Sequence, residues 1–172
     1  VLKPYSTNDM EYVVKLHERS KRFVFDDYEL PKTFVGFKDR VNESLNTNTV
    51  GWICWSKEIT YRFGIIYFSN IISGVSAMFH PVVDINGYKE YVKRSKIRIK
   101  LMDESSLLAI KYMFYFHSLQ RVTGAFFCNN LSVISLCRRL GFKDEGVIRK
   151  GTKLNGVAID IKLLGLLSNE VS

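Results

Sequence analysis

Three consecutive segments between residues 50 and 80 constrain the fold of this chain more than any other feature. They are rich in aromatic and β-branched residues, and turn-like breaks at residues 56–58 and 72–74 separate them. Such segments are typical of β-strands, and breaks this short connect antiparallel neighbours. We therefore predict three antiparallel strands, at Val50–Trp55, Ile59–Phe68 and Val75–His80.

Helical patterns precede and follow these strands. Asn8 and Glu11 have the spacing of a capping box, which predicts a first helix. A second helix is predicted from Thr33, where apolar residues return at helical spacing up to residue 45. In a third helix, Glu104–Leu119, the only charged residue after Glu104 is Lys111. A helix this apolar is buried on most of its faces, so we expect it against the sheet.

The next segments predict a strand at Arg121–Cys128 and a helix at Asn129–Leu140. Gly141 stands where a left-handed residue ends a helix, and the apolar Phe142 follows it. The apolar stripe of this helix has the spacing i, i+3, i+4, i+7 and consists of Val133, Leu136, Cys137 and Leu140.

Two closing strands are predicted at Glu145–Lys150 and Val157–Leu164. Asn155-Gly156 between them is a two-residue hairpin turn, because both residues tolerate a positive φ. With a short strand at Val1–Lys3, the element order is β-α-α-β-β-β-α-β-α-β-β. This order predicts an α/β (α+β) fold over residues 1–172, a single domain with one mixed, mostly antiparallel, twisted sheet of about seven strands and about four flanking helices.

The composition of the chain excludes several further classes of protein. Apolar residues make up 47% of the chain, which is enough for a substantial core. No apolar run reaches the roughly 18–20 residues that a membrane helix needs, and the first residues lack the apolar stretch of a signal peptide. The three cysteines form no CxxC pair and the three histidines are scattered, so we expect no metal site. Free thiols are typical of a reducing compartment, which predicts a cytoplasmic protein.

Basic residues outnumber acidic ones by 25 to 17, which gives a net charge of +8. The excess is concentrated between residues 89 and 100, where six of the twelve residues are Lys or Arg. Such a charge attracts nucleic acid, an acidic protein or a phosphate-rich cofactor, and a solvated face without a partner is an equal alternative.

Residues 119–122, 129–133 and 136–146 resemble the C-terminal half of the GNAT superfamily of N-acetyltransferases. The likeness is closest to the branch that acetylates the N-termini of ribosomal proteins, which also ends in an Asn-Gly-like turn and an Asp, here Asn155-Gly156 and Asp160. The resemblance implies that the fourth and fifth strands run parallel and splay apart. It also implies that acetyl-CoA is the cofactor and lays its pantetheine arm between these strands like an extra strand.

The resemblance implies a set of cofactor-binding residues, some on the edge of the fourth strand and some near the helices on either side of the fifth. On that edge Pro81 is expected to end the strand. Asn129 follows the fifth strand and could hydrogen-bond the pantetheine arm or simply cap a helix. The full set is Met78, Phe79, His80, Arg98, Lys100, Met102, Asn129 and Ser132.

The loop that holds the pyrophosphate in such proteins departs from the family pattern. Its two small positions fall on Lys100 and Met102, and both side chains are expected to crowd the phosphate. Two accounts stay open: the basic residues, Arg98 and Lys100 above all, replace main-chain recognition with side-chain charge, or acetyl-CoA binding has been lost. Asn86-Gly87 mimics part of the family motif but lies far upstream.

Candidate catalytic residues are few. His80, at the predicted end of the fourth strand, is the best available base, because an imidazole titrates near neutral pH; a purely structural role is the alternative. In many GNAT enzymes a Tyr four residues before the Gly-Phe pair protonates the departing thiolate. Here that position is Cys137, and its place on the apolar stripe favours a buried structural role over that of a donor.

Three hypotheses for function follow. The first is an N-acetyltransferase that moves an acetyl group from acetyl-CoA to a protein N-terminus or another primary amine. The second is a GNAT-fold protein without catalysis that serves in binding or assembly, such as an internal virion component of a phage, which would place it in the virion interior. The third is a nucleic-acid-binding module that uses residues 89–100.

Overall fold

A computed structural model of the protein describes residues 1–19, 48–56, 61–84, 86, 89 and 101–171. Three α-helices lie in these ranges: α1 (Met10–Arg19), α2 (Leu101–Phe116) and α3 (Leu131–Arg139). The strands are β1 (Leu2–Pro4), β2 (Val50–Trp55), β3 (Arg62–Ile72), β4 (Ser76–Val83), β5 (Arg121–Phe127), β6 (Lys143–Leu154) and β7 (Val157–Leu167).

All seven strands form one sheet in the order β1-β2-β3-β4-β5-β7-β6. β4 and β5 run parallel, and every other neighbouring pair is antiparallel. α2 connects the two parallel strands. The predicted mixed, mostly antiparallel sheet is therefore confirmed. The second helix predicted from Thr33 lies outside the described residues.

Each face of the sheet carries its own core. α2 and α3 contribute to the larger cluster, which includes Trp52 and Phe79, whereas α1 packs over Ile53 and Ile65. Successive residues of a strand point to opposite faces, so β2 supplies Trp52 to one core and Ile53 to the other. The sheet is thus a central layer between helices.

The prediction that Pro81 ends its strand is wrong, because β4 continues to Val83. Asp84 donates its main-chain N–H to the carbonyl of Phe63 in β3, at 2.8 Å. Main-chain groups alternate sides along a strand, so those of Pro81 point away from β3. β4 has no described pairing partner on that side beyond Met78, and a proline there removes no hydrogen bond from the ladder.

The predicted starts of two helices also need correction. The Ser6 amide and hydroxyl donate to the Asp9 carboxylate at 3.2 and 2.9 Å, and a 3-10 turn at Thr7–Asp9 leads into α1. The cap is therefore two residues earlier than the predicted box, because Glu11 pairs with Lys15 instead. α2 begins at Leu101, three residues before the predicted start.

β6 and β7 form a hairpin longer than predicted. Asn155 and Gly156 adopt φ values of 51° and 77°, as the predicted turn requires. A bulge lies between Ile148 and Thr152 of β6. Asp160 of β7 accepts the N–H of Lys150 at 2.7 Å across this bulge. The added residues of β6 are mostly exposed and polar, so an apolar pattern could not reveal them.

We expect Gly64→Ala to lower the free energy of unfolding by about 1–3 kcal/mol, the scale of overpacking. A Cβ at Gly64 would overlap the carbonyl oxygen of Val82 in the adjacent strand, and main chain cannot rotate away. Urea denaturation measures the loss. The matched control is Gly165→Ala, whose Cβ meets only the flexible ends of Glu145 and Arg121 and should cost about 0–1 kcal/mol. Equal losses in both variants would contradict this interpretation.

Candidate active site

The candidate site is the gap where β4 and β5 separate. The two strands pair at only three positions, which are Ser76 with Arg121, Ala77 with Val122, and Met78 with Thr123. β5 remains paired with β7 on its other side up to Phe127. Beyond Met78 the facing edges of β4 and β5 share no described pair, so the predicted splay is confirmed.

The edge of β4 presents main-chain groups of alternate residues to this gap. Asp84 hydrogen-bonds β3, so by alternation His80 and Met78 also direct their main-chain groups toward β3. Phe79 directs its N–H and its carbonyl toward β5, where the parallel pairing of Met78 with Thr123 engages the N–H and leaves the carbonyl facing the gap. Of the three residues predicted for this edge, Phe79 is therefore the one placed to pair with an extended ligand.

Core contacts hold this edge in position. The Phe79 side chain is fully buried, and its ring lies 5.4 Å from that of Phe68 and 5.7 Å from that of Phe142. Phe142 follows Gly141, whose φ of 96° confirms the predicted left-handed end of α3. The Phe142 amide donates to the Cys137 carbonyl at 3.0 Å, which closes the helix. The end of α3 is thus packed directly on the strand that borders the gap.

His80 projects from the opposite face of β4, toward α1. Its Nε2 lies 2.8 Å from the Ser69 hydroxyl oxygen, and its ring stacks on Tyr67 with centroids 4.5 Å apart and planes at 11°. Both partners belong to β3. The imidazole is half-buried and fixed in orientation by these two contacts, which is what a positioned acid or base requires.

The structure separates the two predicted catalytic residues. Cys137 lies in the core on the α3 side of the sheet, with no exposed surface. Burial raises the pKa of its thiol to about 12. His80 lies on the other face, so these two side chains do not form one cluster.

The start of α3 lies just beyond the end of β5. Asn129 and Ser132 are exposed there. Asn130, rather than Asn129, is the residue that precedes the helix, and its side chain makes no capping hydrogen bond. Asn129 thus lies one residue outside the helix boundary, and it is exposed near the end of β5.

Met102 does not occupy the position that the sequence suggests. It lies within the first turn of α2, and its side chain is buried in the core rather than directed at the helix start. The next residue, Asp103, accepts two hydrogen bonds from Arg139 of α3, at 2.6 and 2.9 Å. The side chain of Met102 therefore belongs to the core, and its predicted effect on a phosphate stays a prediction. Arg98 and Lys100 lie outside the described residues.

Sequence reasoning missed Tyr67 and Ser69 as partners of His80. Their contact depends on the register of β3 against β4, in which Tyr67 lies opposite His80. Counting back from the β3–β4 turn along alternating residues could have placed them on one face. The sequence predicts a strand that ends at Phe68, so Ser69 lies outside it and its place on the same face as Tyr67 is not predicted.

No helix in the described part of the chain has the length and apolar character needed to cross a membrane. No protein-family model matches the chain. A Bacillus subtilis (strain 168) protein named "Probable N-acetyltransferase YjcK" is 24% identical over 178 aligned residues, which cover 97% of this chain and 93% of that protein.

Solved structures of similar fold include the spermidine N-acetyltransferase of Vibrio cholerae in complex with CoA and spermine. It is 17% identical, with a TM-score of 0.78, and the match covers 99% of this chain and 96% of that one. The spermidine/spermine N-acetyltransferase SpeG of the same organism, in complex with manganese ions, matches with a TM-score of 0.71 at 17% identity, over 97% of this chain and 91% of that one.

Proposed function

We propose that this chain, which has the fold of the GNAT N-acetyltransferases, transfers the acetyl group of acetyl-CoA to an amine. The observation that carries the proposal is the gap beyond Met78, where the Phe79 carbonyl faces away from β3 and has no described strand partner. An extended molecule can add to such an edge through main-chain hydrogen bonds. The pantetheine arm of acetyl-CoA is extended and carries amides, so the Phe79 carbonyl can accept a hydrogen bond from one of its N–H groups.

Other residues fit the same cofactor. The exposed amide of Asn129 lies near the end of β5 and can hydrogen-bond the arm, and Ser132 follows in the first turn of α3. Arg139 forms an ion pair with Asp103 at the start of α2, so the negative charge of this carboxylate repels a phosphate less. When bound, acetyl-CoA supplies the activated acetyl thioester. Arg98 and Lys100 remain our candidates for the positively charged side chains that bind its phosphates.

In this proposal His80 takes the proton that the acceptor amine must lose. Nucleophilic attack needs a neutral amine, and a positioned imidazole accepts a proton at about neutral pH. Ser69 and Tyr67 restrict the rotation of the imidazole, so the base meets the acceptor in one orientation. The C–N bond would then form as the thioester C–S bond breaks, and the second proton that the amine nitrogen loses would balance the departing thiolate, so that CoA leaves as the thiol.

We assign Cys137 a packing role rather than that of proton donor. Its thiol is fully buried and, with a pKa of about 12, is a weaker acid than an ordinary thiol. Cys137→Ala is therefore expected to leave kcat within about twofold and to lower the free energy of unfolding by about 1–2 kcal/mol. Steady-state kinetics and urea denaturation measure the two effects. A hundredfold loss of kcat at unchanged stability would instead assign the donor role to Cys137.

We propose a protein N-terminal amine as the acceptor rather than a polyamine. The chain carries a net charge of +8, which repels a polycation and attracts a neutral or acidic peptide. The test compares CoA release from acetyl-CoA with an acidic peptide, with the same peptide blocked at its N-terminus, and with spermidine. We expect turnover with the free peptide alone. Faster turnover with spermidine would overturn this choice of acceptor while supporting acetyl transfer itself.

A further inference from the structure

α2 presents an unusual apolar surface to solvent, and residues of the adjoining β3–β4 connection extend it. Tyr115 is 79% exposed and Phe116 64% exposed at the end of the helix. We call this surface the aromatic patch. It consists of Ile72, Val75, Leu108, Tyr112, Tyr115 and Phe116.

The aromatic side chains of the patch are in contact with one another. The Phe116 ring lies 4.4 Å from that of Tyr112 and 4.9 Å from that of Tyr115, centroid to centroid. The Tyr112 ring also packs edge-on against the core residue Trp52, at 5.2 Å. The Gly74 amide donates to the His117 carbonyl at 2.9 Å, which ties the β3–β4 connection to the end of α2. The three aromatic rings are therefore in contact with one another, and the β3–β4 connection is held next to them.

The size of the aromatic patch distinguishes it from ordinary surface. A large aromatic side chain can bury roughly 150–250 Å², so these six partly exposed side chains offer on the order of 700 Å². The largest exposed apolar patch on a typical monomer is about 300–600 Å². A standard interface covers about 800 Å² on each partner. The aromatic patch has nearly the area that a stable dimer needs.

We infer that the aromatic patch is the interface between two copies of this chain, related by a two-fold axis. In such an interface one surface must be complementary to itself. Two α2 helices that cross antiparallel near Tyr112 would set Leu108 of each copy beside Phe116 of the other, because both residues lie four positions from Tyr112. The aliphatic part of Lys111, on the same exposed face, can cover the rim while its charge stays in water.

Sedimentation velocity of the full chain at micromolar concentrations tests this inference. We expect a dimer, and we expect Phe116→Glu or Tyr115→Glu to raise its dissociation constant by at least about thirtyfold, the scale of a central interface residue. The matched control is Val157→Glu, since Val157 is also 64% exposed but lies at the β6–β7 turn, and this variant should remain dimeric.

Circular dichroism will establish that both patch variants keep their fold, which their exposure leads us to expect. A wild-type chain that sediments as a monomer would overturn the inference. So would a dimer that persists in both patch variants, because the interface would then lie elsewhere. Neither outcome bears on acetyl transfer, whose test is the turnover assay.

Discussion

His80→Gln is expected to lower kcat for acetyl transfer by about 10²–10⁴-fold, the range for loss of a positioned general base. Glutamine can keep the hydrogen bond to Ser69, so the strand geometry around residue 80 should survive. It cannot accept the proton of the acceptor amine. The measurement is kcat at saturating acetyl-CoA, together with its pH profile, from which the fall on the acid side should disappear.

Ser69→Ala provides the matched variant for the positioning contact. It removes the hydroxyl 2.8 Å from His80 Nε2 and leaves the stacked Tyr67 ring in place. We expect a smaller loss of kcat than in His80→Gln, because the base remains but its orientation is less restricted. Full activity in His80→Gln would show that this histidine is structural and that another group takes the proton.

Leu136→Ala or Phe142→Ala is expected to lower the free energy of unfolding by about 2–5 kcal/mol, as buried large-to-small changes do. Both side chains are about 4% exposed, and the Phe142 ring packs on Phe79 at the border of the gap. Urea denaturation measures the loss. Leu131→Ala, on the same helix but 69% exposed, is the control and should cost under about 0.5 kcal/mol.

A loss below about 0.5 kcal/mol in Leu136→Ala would mean that the inward face of α3 is wrongly assigned. The Phe142 variant has a second expected effect. Because its ring supports Phe79, we also expect weaker acetyl-CoA binding in the fraction that remains folded. Stability and binding are therefore measured on the same preparation.

The sequence predicted those parts of the fold that depend on local pattern. The aromatic and β-branched segments from residue 50 produced three antiparallel strands, and the stripe through Leu136 gave the buried face of α3. Gly141 marked the end of that helix because a positive φ is costly for other residues. These signals lie within a few residues of the feature that they predict.

The features that were predicted wrongly depend on tertiary placement. Pro81 fits inside β4 only because its nitrogen faces the gap, which no local pattern reveals. The sequence predicts Met102 in a loop, but α2 starts before it and turns its side chain into the core. The contact of His80 with Ser69 requires the β3–β4 register. Sequence spacing could not supply the first two, and the third required the correct end of β3.

Binding of acetyl-CoA is the most direct test of the central claim, which is that the gap between β4 and β5 holds the pantetheine arm. Thermal unfolding is measured with increasing acetyl-CoA, and with ADP, which lacks the arm, as the control. We expect Tm to rise with acetyl-CoA, by a stabilisation of about 2.7 kcal/mol at a hundredfold excess over Kd, and to rise less with ADP. An unchanged Tm at saturating acetyl-CoA would contradict the account and favour a GNAT-fold binding or assembly protein without catalysis.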